Sequence, residues 1–435
     1  MATTSSHHWR VIPAILALAL LLAACGGAPA AGPPASTATP AASQGPSASA
    51  SPVAPVVTPS PSPTAAVVTP SASPAAAVIT PSPSPVASPT PSPTPALQLF
   101  SKVIADQGRR PHGNYGVVNA LAWSPDGRIL ASGGLDHIVR LWDADGHLLT
   151  TLTAHESEIQ ALAWSPDGKI LASSSSDSTV RLWAADGALI ATISARGIDS
   201  GLFSWSPDSR ILAVAGRLGQ SWFWSADGTL LATLATGDTN TYITALAWSP
   251  DGSTLVTGDN HQQVRLWKAD GTPRTTLSFT PDLDPRGGTY WMSTIAWSPD
   301  GQTFVTAAAG GIARFWAADG SPRGTLAAAQ AVAWSPDGRL LASTTLQWSL
   351  VLLNVDGTVH STLPGKYTML LAWSPDSRFV VAGTYQENTV HLFSADGQDR
   401  GTLSGHMQAI RALAWSPDGR TLASAGEDGT VRLWR

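Results

Sequence analysis

The tetrapeptide Trp-Ser-Pro-Asp occurs eight times in this chain, beginning at Trp123, Trp164, Trp205, Trp248, Trp297, Trp334, Trp373 and Trp415. The spacings are 41, 41, 43, 49, 37, 39 and 42 residues, a period that marks stacked supersecondary units rather than independent domains. A unit this short cannot bury a core by itself, so each must cover its faces with its neighbours. The tetrapeptide itself is a turn, in which Pro presets φ at the second position. In six units Gly follows the Asp and supplies the left-handed residue that closes the turn. Of the 18 Trp, eight open this tetrapeptide and six end a later apolar run, which leaves Trp9, Trp222, Trp291 and Trp348.

The second unit shows how a repeat is built. Ile159 to Trp164 alternates large and small apolar residues and reads as an inner strand, and Ser165-Pro166-Asp167-Gly168 turns the chain. Lys169 to Ser174 is the second strand, Thr179 to Trp183 the third, Asp186-Gly187 a hairpin turn, and Ala188 to Ile193 the fourth. A four-stranded sheet with two apolar faces is stable only when sandwiched, and eight such sheets stacked radially satisfy one another. Val-Arg-Leu-Trp recurs at Val139 to Trp142, Val180 to Trp183, Val264 to Trp267 and Val431 to Trp434. With Asp177 to Trp183 and His155 upstream, the pattern resembles the WD-repeat β-propeller family over essentially all of residues 97–435. The expected fold is all-β: an eight-bladed propeller of four-stranded antiparallel blades.

The eighth unit stops at Trp434 and Arg435, one strand short. Leu97 to Ile104 (LQLFSKVI) has an outer-strand pattern and no partner of its own, so it is expected to complete the last blade, as terminal strands do in this family. The resemblance also implies a buried His–Ser–Asp–Trp hydrogen-bond set in each regular repeat. His112, Ser132, Asp136 and Trp142 supply it in the first unit, His155, Ser173, Asp177 and Trp183 in the second, and His406, Ser424, Asp428 and Trp434 in the eighth. Elsewhere the Asp position holds Leu218, His261, Gly310, Gln347 or Gln386, and Leu353 and Phe393 replace the third-strand Trp. Three copies of a His–Ser–Asp trio in equivalent positions describe scaffold bonding rather than three hydrolase sites.

Upstream of the repeats the composition changes abruptly. Val11 to Ala24 is small and apolar, follows Arg10, and ends at Cys25, the sole cysteine of the chain. Leu22-Ala23-Ala24-Cys25 resembles the lipobox of bacterial lipoproteins, which implies a signal peptide at 1–24 and a lipidated Cys25. Such a protein is exported and lipid-anchored on the outer side of a bacterial membrane or envelope. A single cysteine also excludes an intramolecular disulfide. Gly26 to Ala96 contains no charged or aromatic residue and holds 19 of the 34 prolines. Within it VVTPSPSPTAA (56–66), VVTPSASPAAA (67–77) and VITPSPSPVAS (78–88) repeat every 11 residues. This composition reads as a disordered stalk over 25–96, joining the lipidated cysteine to the propeller at 97–435.

The chain has a formal net charge of −5 and only 13% charged residues, which disfavours a nucleic-acid partner that needs clustered Lys and Arg. Eight Asp in the Trp-Ser-Pro-Asp turns and seven in the Asp-Gly turns make up 15 of the 30 acidic residues. Turn chemistry accounts for them, and none of these turns has the alternating oxygen ligands of a calcium loop, so no metal or other cofactor is expected. In the family geometry these turns share one face of the ring, and the variable connections occupy the other. Candidate partner-binding residues on the variable face are Tyr242, His261, Phe279, Arg286, Tyr290, Trp291, Leu346, Trp348 and Tyr385, because exposed aromatics and Arg dominate interface energies. The expected function is a monomeric, non-enzymatic interaction scaffold for a protein, peptide or glycan, in contact with the membrane only through its anchor. The alternatives are a secreted propeller enzyme and a Tol-type periplasmic binding propeller, whose repeats also read W-S-P-D-G. Neither a nucleophile elbow nor a phosphate-cradling loop is present in the sequence.

Overall fold

The structure, a computed structural model, describes residues 101–106, 116–194, 198, 201–277, 279, 291–308, 311–345, 347, 349–363, 365, 367–384 and 387–435. The signal segment, Cys25 and the Pro-rich stalk lie outside the described residues. Every regular element described is a β-strand, and the strands form eight antiparallel blades numbered here by their Trp-Ser-Pro-Asp turns. Blade 2 is representative, with strands Ile159–Trp164, Ile170–Ser175, Thr179–Ala184 and Leu189–Ser194 running from the inside of the ring outward. Because the strands alternate in direction, the Trp-Ser-Pro-Asp and Asp-Gly turns fall on one face, the turn face. The connections between second and third strands and between blades fall on the opposite, loop face.

The alternation Ala-Leu-Ala-Trp in the inner strands determines how blades stack. Ala161 and Ala163, with Ala172 and Val180, face blade 3 and receive Phe203, Trp205, Leu212 and Trp224. Leu162, Trp164, Leu171 and Trp183 point the other way, onto Ala120, Ala122 and Ala131 of blade 1. Each blade therefore presents a small-residue face to the next blade and a large-residue face to the previous one. Eight interblade layers of this kind constitute the core.

A hydrogen bond accompanies each insertion of a large ring. The indole N–H of Trp164 donates to the carbonyl of Ala122, the residue just before Trp123 in the preceding blade, at 3.2 Å. Trp205 donates to Ala163, Trp248 to Ser204, Trp297 to Ala247 and Trp373 to Ala333 in the same way, at 3.0–3.3 Å. Trp123 reaches Ala414 of blade 8 at 3.2 Å and so carries the pattern across the closure. Trp334 and Trp415 are equally buried, but their N–H groups have no partner among the described residues.

The turns interlock as well. In blade 1 the Ser124 hydroxyl donates to Asp126 Oδ1 at 2.6 Å and accepts from the Ile129 N–H at 2.9 Å, while the same carboxylate accepts from the Arg128 N–H. Gly168 has a φ of +71°, and a Cβ there would lie 3.5 Å from Pro125 Cδ of the preceding turn. Blades 3 and 7 place Ser209 and Ser377 in this left-handed position, with φ of 63° and 60°. Each serine hydroxyl accepts from the backbone N–H of the preceding blade's turn, at Asp167 and Asp337, at 2.9 Å. That interblade bond offsets part of the strain at a non-glycine residue.

Blade 8 is completed by Ser101–Asp106, which pairs antiparallel with Thr430–Trp434 in the register Ser101 to Trp434 and Asp106 to Thr430. The described strand runs from Ser101 to Asp106, two residues past the expected end at Ile104, and residues 97–100 lie outside the described residues. Lys102 Nζ donates to the Asp145 carbonyl at 2.5 Å, and Arg435 donates to the Ala144 carbonyl and Asp145, tying both chain ends to blade 1. One feature departs from eight separate sheets. Pro322–Trp334 is a single 13-residue strand that is the outer strand of blade 5 and then the inner strand of blade 6, joining them into one seven-stranded sheet. This direct passage accounts for the short 37-residue spacing between Trp297 and Trp334.

The two classes of tryptophan give a direct test. Trp164→Phe and Trp415→Phe remove the same indole N–H and a similar ring volume, but only the first leaves a carbonyl without its donor. Trp164→Phe is expected to cost about 1–2 kcal/mol more in chemical denaturation than Trp415→Phe. Equal losses in the two variants would show that the interblade bond contributes nothing.

Candidate functional site

The buried sets come first, because they contain the residue types of a hydrolase. In blade 2 His155 Nδ1 lies 2.7 Å from Asp177 Oδ2, and His155 Nε2 lies 2.8 Å from Ser173 Oγ. The Trp183 indole N–H donates to the same Ser173 Oγ at 2.8 Å. The partners define one consistent chain: Trp183 donates to Ser173, Ser173 to His155 Nε2, and His155 Nδ1–H to the Asp177 carboxylate. Blade 8 repeats it, with His406 Nδ1 2.9 Å from Asp428 Oδ2, His406 Nε2 2.7 Å from Ser424 Oγ and Trp434 2.8 Å from Ser424. The histidine side chains are 1% exposed in both blades, and Ser173 and Ser424 are fully buried. A serine whose proton is held by His and whose lone pair is occupied by Trp, with no path to solvent, has no access to a substrate.

Electrostatics agree with a structural role. Burial lowers the His155 pKa and keeps the ring neutral, against the opposing pull of Asp177. Burial also tends to raise Asp177, but hydrogen bonds from Thr179, His155 and the Glu156 N–H bring it down to about 2. Asp428 is likewise driven well below the ordinary range, with burial outweighed by His406, the Met407 N–H and Thr430.

Elsewhere the sets are partial or rebuilt. In blade 1 Trp142 donates to Ser132 at 2.8 Å and Asp136 pairs with Arg140 at 2.6 Å, while His112 lies outside the described residues. In blades 4 and 5 Thr257 and Thr306 replace the serine and accept from Trp267 and Trp316 at 2.9 and 3.0 Å. Blade 4 has His261 at the sequence position of the acid, yet it does not lack a carboxylate. Asp259, two residues earlier and fully buried, accepts from the His261 and Gln263 N–H groups and pairs with Arg265 at 2.7 Å. The signal for this was Arg265 two residues before Trp267, matching Arg140 before Trp142 and Arg181 before Trp183.

On the turn face the Asp carboxylates are engaged by their own turns. Asp126, Asp167, Asp251 and Asp418 have lowered pKa values because bonds from the turn serine and the next backbone N–H outweigh burial; in Asp300 the Ser298 hydroxyl leads. Arg128 and Lys169 also lie beside Asp126 and Asp167. Blades 4 and 5 have Ser253 and Gln302 where other turns carry a cation. There an outer-strand arginine reaches inward instead: Arg274 to Thr254 Oγ1 at 3.1 Å and Arg323 to Thr303 Oγ1 at 3.0 Å.

On the loop face the candidates separate. Tyr242 and Trp291 are 45% and 41% exposed, and His261 is exposed beside them. Tyr242 immediately precedes the inner strand Ile243–Trp248 of blade 4, and Trp291 precedes Met292–Trp297 of blade 5, so they hold equivalent positions in adjacent blades. Asn260 links the group. Its Oδ1 accepts from the Tyr242 N–H at 2.9 Å, its own N–H donates to the Tyr242 carbonyl at 3.1 Å, and its Nδ2 lies 3.1 Å from His261 Nε2. A Cβ on Gly258, in the strand that leads into this turn, would come 2.5 Å from Met292 Cγ, so the end of that strand packs against the residue after Trp291. Asn260 was not singled out from the sequence, since an amide in a turn has a local explanation by default. Phe279 is half-buried, packs 5.6 Å from Trp316, and is covered on one side by the Arg314 guanidinium at 4.4 Å. It fills the wedge between blades 4 and 5, beside a cavity of about 350 Å³ lined in part by Leu277, Arg314 and Trp316. Arg286, Tyr290, Leu346, Trp348 and Tyr385 lie outside the described residues. No group of three or more His, Cys, Asp or Glu is placed to hold a metal among the described residues.

The buried set of blade 2 predicts a pH response. A His held below its unfolded pKa binds less proton in the folded state, so its stabilising contribution is complete above about pH 6.5 and declines as pH falls. Asp177 adds a second loss between about pH 4 and 2 for the same reason of sign. His155→Gln is expected to lower stability at pH 7 by about 3 kcal/mol, by leaving Asp177 buried without its donor. The same variant should flatten the fall in thermal midpoint between pH 7 and 5, and an unchanged slope would remove His155 as its source.

Comparison with known proteins places this geometry. The WD domain, G-beta repeat, pattern matches residues 107–143, 146–184, 228–268, 285–317 and 397–435. Among curated proteins, the nuclear distribution protein PAC1-2 of Uncinocarpus reesii is 43% identical over 49 residues, which is 11% of each chain. Human coronin-7 is 54% identical over 39 residues, 9% of this chain and 4% of its own. The probable cytosolic iron-sulfur protein assembly protein Ciao1 of Culex quinquefasciatus is 41% identical over 54 residues, 11% of this chain and 16% of its own. The chain thus spans less than a fifth of the length of these relatives. Among solved structures, Sqt1 from Chaetomium thermophilum aligns with a TM-score of 0.65 at 18% identity, over 78% of this chain and 99% of its own. The computationally designed Ika8 protein aligns with a TM-score of 0.61 at 22% identity, over 76% and 99%. These likenesses concern the fold alone. The chain is an eight-bladed β-propeller, five of whose blades match the WD domain, G-beta repeat, pattern.

Proposed function

We propose that this protein is an exported, lipid-anchored, non-enzymatic scaffold that binds a protein or peptide partner through the loop face of blades 4 and 5. The carrying observation is that exposed Tyr242 and Trp291 hold equivalent positions in adjacent blades, with Asn260 bonded to Tyr242 and His261 beside it. Two half-exposed aromatic rings on rigid strand ends offer apolar area at low entropic cost. The amide and imidazole beside them supply polar groups that set orientation. The buried His–Ser–Asp sets support a scaffold over a hydrolase, since their serines meet no solvent.

The lipobox-like Leu22-Ala23-Ala24-Cys25 supports the anchor, and the stalk at 25–96 supports presentation of the ring away from a membrane. Fully extended at about 3.1 Å per residue, the charge-free segment 26–96 would reach roughly 220 Å.

Two measurements test this reading. Affinity capture from envelope extracts with the full chain should recover a partner that Tyr242→Ala and Trp291→Ala each weaken at least tenfold, about 1.4 kcal/mol. Undiminished capture by both variants would move the site off this face. Fatty-acid labelling should mark the wild-type chain and not Cys25→Ser, and absence of label on both would remove the anchor.

A further inference from the structure

Six of the 13 large apolar side chains exposed among the described residues lie on the rim of three consecutive blades. Leu148 and Leu149 of blade 1, Leu189 and Ile190 of blade 2, and Leu230 and Leu231 of blade 3 open the outer strands, each 42–53% exposed. An outer strand begins where its Asp-Gly turn ends, so all six sit at the turn-face corner of the rim. The band stops on both sides. The described outer strand of blade 8 begins with Ser101-Lys102, and those of blades 4, 5 and 7 begin with Pro273-Arg274, Pro322-Arg323 and Asp399-Arg400. Exposed Thr151, Thr192 and Thr233 follow Leu149, Ile190 and Leu231 by two residues, so each strand changes from apolar to hydroxylated as it runs toward the loop face.

Chemistry and shape select what covers this band. Protein interfaces draw their binding energy from Trp, Tyr and Arg, with Leu under-represented, and none of those three types occurs in the apolar pairs or in the Asp-Gly turns before them. A second copy of the ring fails on area. With strands about 4.8 Å apart in a blade and blades about 45° apart, the outer strands stand roughly 20–25 Å from the ring axis, and those of blades 1 and 3 fall back about 7 Å from a plane touching blade 2. A rigid ring beside blade 2 would cover one apolar pair per copy, far short of the roughly 1,200–2,000 Å² buried in a stable interface. The interfacial zone of a bilayer, which apolar faces enter to a depth of about 5–10 Å, takes in all three blades at once. Charge sets the headgroup. Asp145, Asp186 and Asp227 precede the three apolar pairs in the turns. Arg435 pairs with Asp145 at 3.1 Å, and Asp186 and Asp227 have no such partner among the described residues. Carboxylates beside the band disfavour an anionic surface and suit a zwitterionic one.

We propose that the turn-face corner of blades 1 to 3 is a membrane-docking edge, which inserts these six side chains into the surface of a zwitterionic bilayer. The outer strands are the last in their sheets, and their open backbone groups cannot enter hydrocarbon. Only the two leading side chains of each strand insert, with the threonines and the strand edges at the level of the headgroups and their water. The ring then rests on its rim with the loop face turned away, which keeps Tyr242 and Trp291 clear of lipid. This contact is separate from a lipid on Cys25 and does not require one.

Amide hydrogen exchange of the full chain with and without phosphatidylcholine vesicles tests this. The readout is resolved along the chain, so insertion of residues 11–24 or of an acyl group on Cys25 cannot imitate it. Vesicles should slow exchange in 148–152, 189–194 and 230–235 by about fivefold or more and leave the outer strands of blades 4, 5 and 7 unchanged. The slowing should vanish in a Leu149→Ser, Ile190→Ser, Leu231→Ser variant whose inner strands exchange as in wild type, and it should weaken in Ile190→Ser alone. Val359→Ser, on the outer strand of blade 6 across the ring, should keep it in full. Equal exchange with and without vesicles would overturn the proposal, as would slowing that survives the triple substitution. So would slowing that requires phosphatidylglycerol, which assigns the contact to cations, or that rises with protein concentration in the absence of lipid, which assigns a second copy.

Discussion

The ring depends on a single contact made again and again: a tryptophan on the large-residue face of one blade seated on the alanine face of the blade before it. Its ring fills the space that Ala leaves, and in six of the eight blades its N–H reaches the carbonyl one residue before the preceding tryptophan. Packing and hydrogen bonding therefore set the same register between blades. A sheet sliding against its neighbour would lose both at once, so the stacking order is specified by the inner strands. The turns then follow as a consequence, each left-handed Gly or Ser lying against the turn of the blade before it.

What could be read from the sequence was whatever recurs. The period, the turn chemistry, the strand order in blade 2 and the shortage of one strand at the C-terminus all follow from counting and from residue type. What escaped is compensation, in which one residue does at a new position what another does elsewhere. Asp259 supplies the acid of blade 4 from two residues upstream of His261, and only the partly buried Arg265 betrays it. Arg274 and Arg323 carry to the turn face the charge that Ser253 and Gln302 lack. The continuous strand Pro322–Trp334 reads as a strand and a separate inner strand because the run of small residues between them gives no turn signal to place or remove. The contacts of Phe279 with Trp316 and Arg314 are hidden in the sequence by the more than 30 residues that separate them.

Regularity and variability are unevenly distributed around the circle. Complete His–Ser–Asp–Trp sets occupy blades 2 and 8, on either side of the blade tied to both chain ends. Blades 4 and 5 rebuild the set with threonine, and blade 3 keeps Trp224 with no partner for its N–H. The exposed aromatic pair on the loop face belongs to this less regular sector. Where the buried set is intact, the histidine holds the interblade connection down against the sheet. In blade 4, which lacks that histidine, Asn260 holds the connection instead through both backbone groups of Tyr242 and leaves the Tyr242 side chain exposed.

The clasp of Ser101–Asp106 on Thr430–Trp434 also bears on how such a ring is made. These strands come from opposite ends of the domain, so during synthesis seven blades emerge before the first strand can find its place. Through that interval the nascent ring has two open ends, and the alanine face of one terminal blade has no tryptophan to receive. Closure is thus the last contact formed and has the largest loop entropy to overcome. A chain that delivers its final residues late is exposed to pairing with a neighbour for as long as it waits.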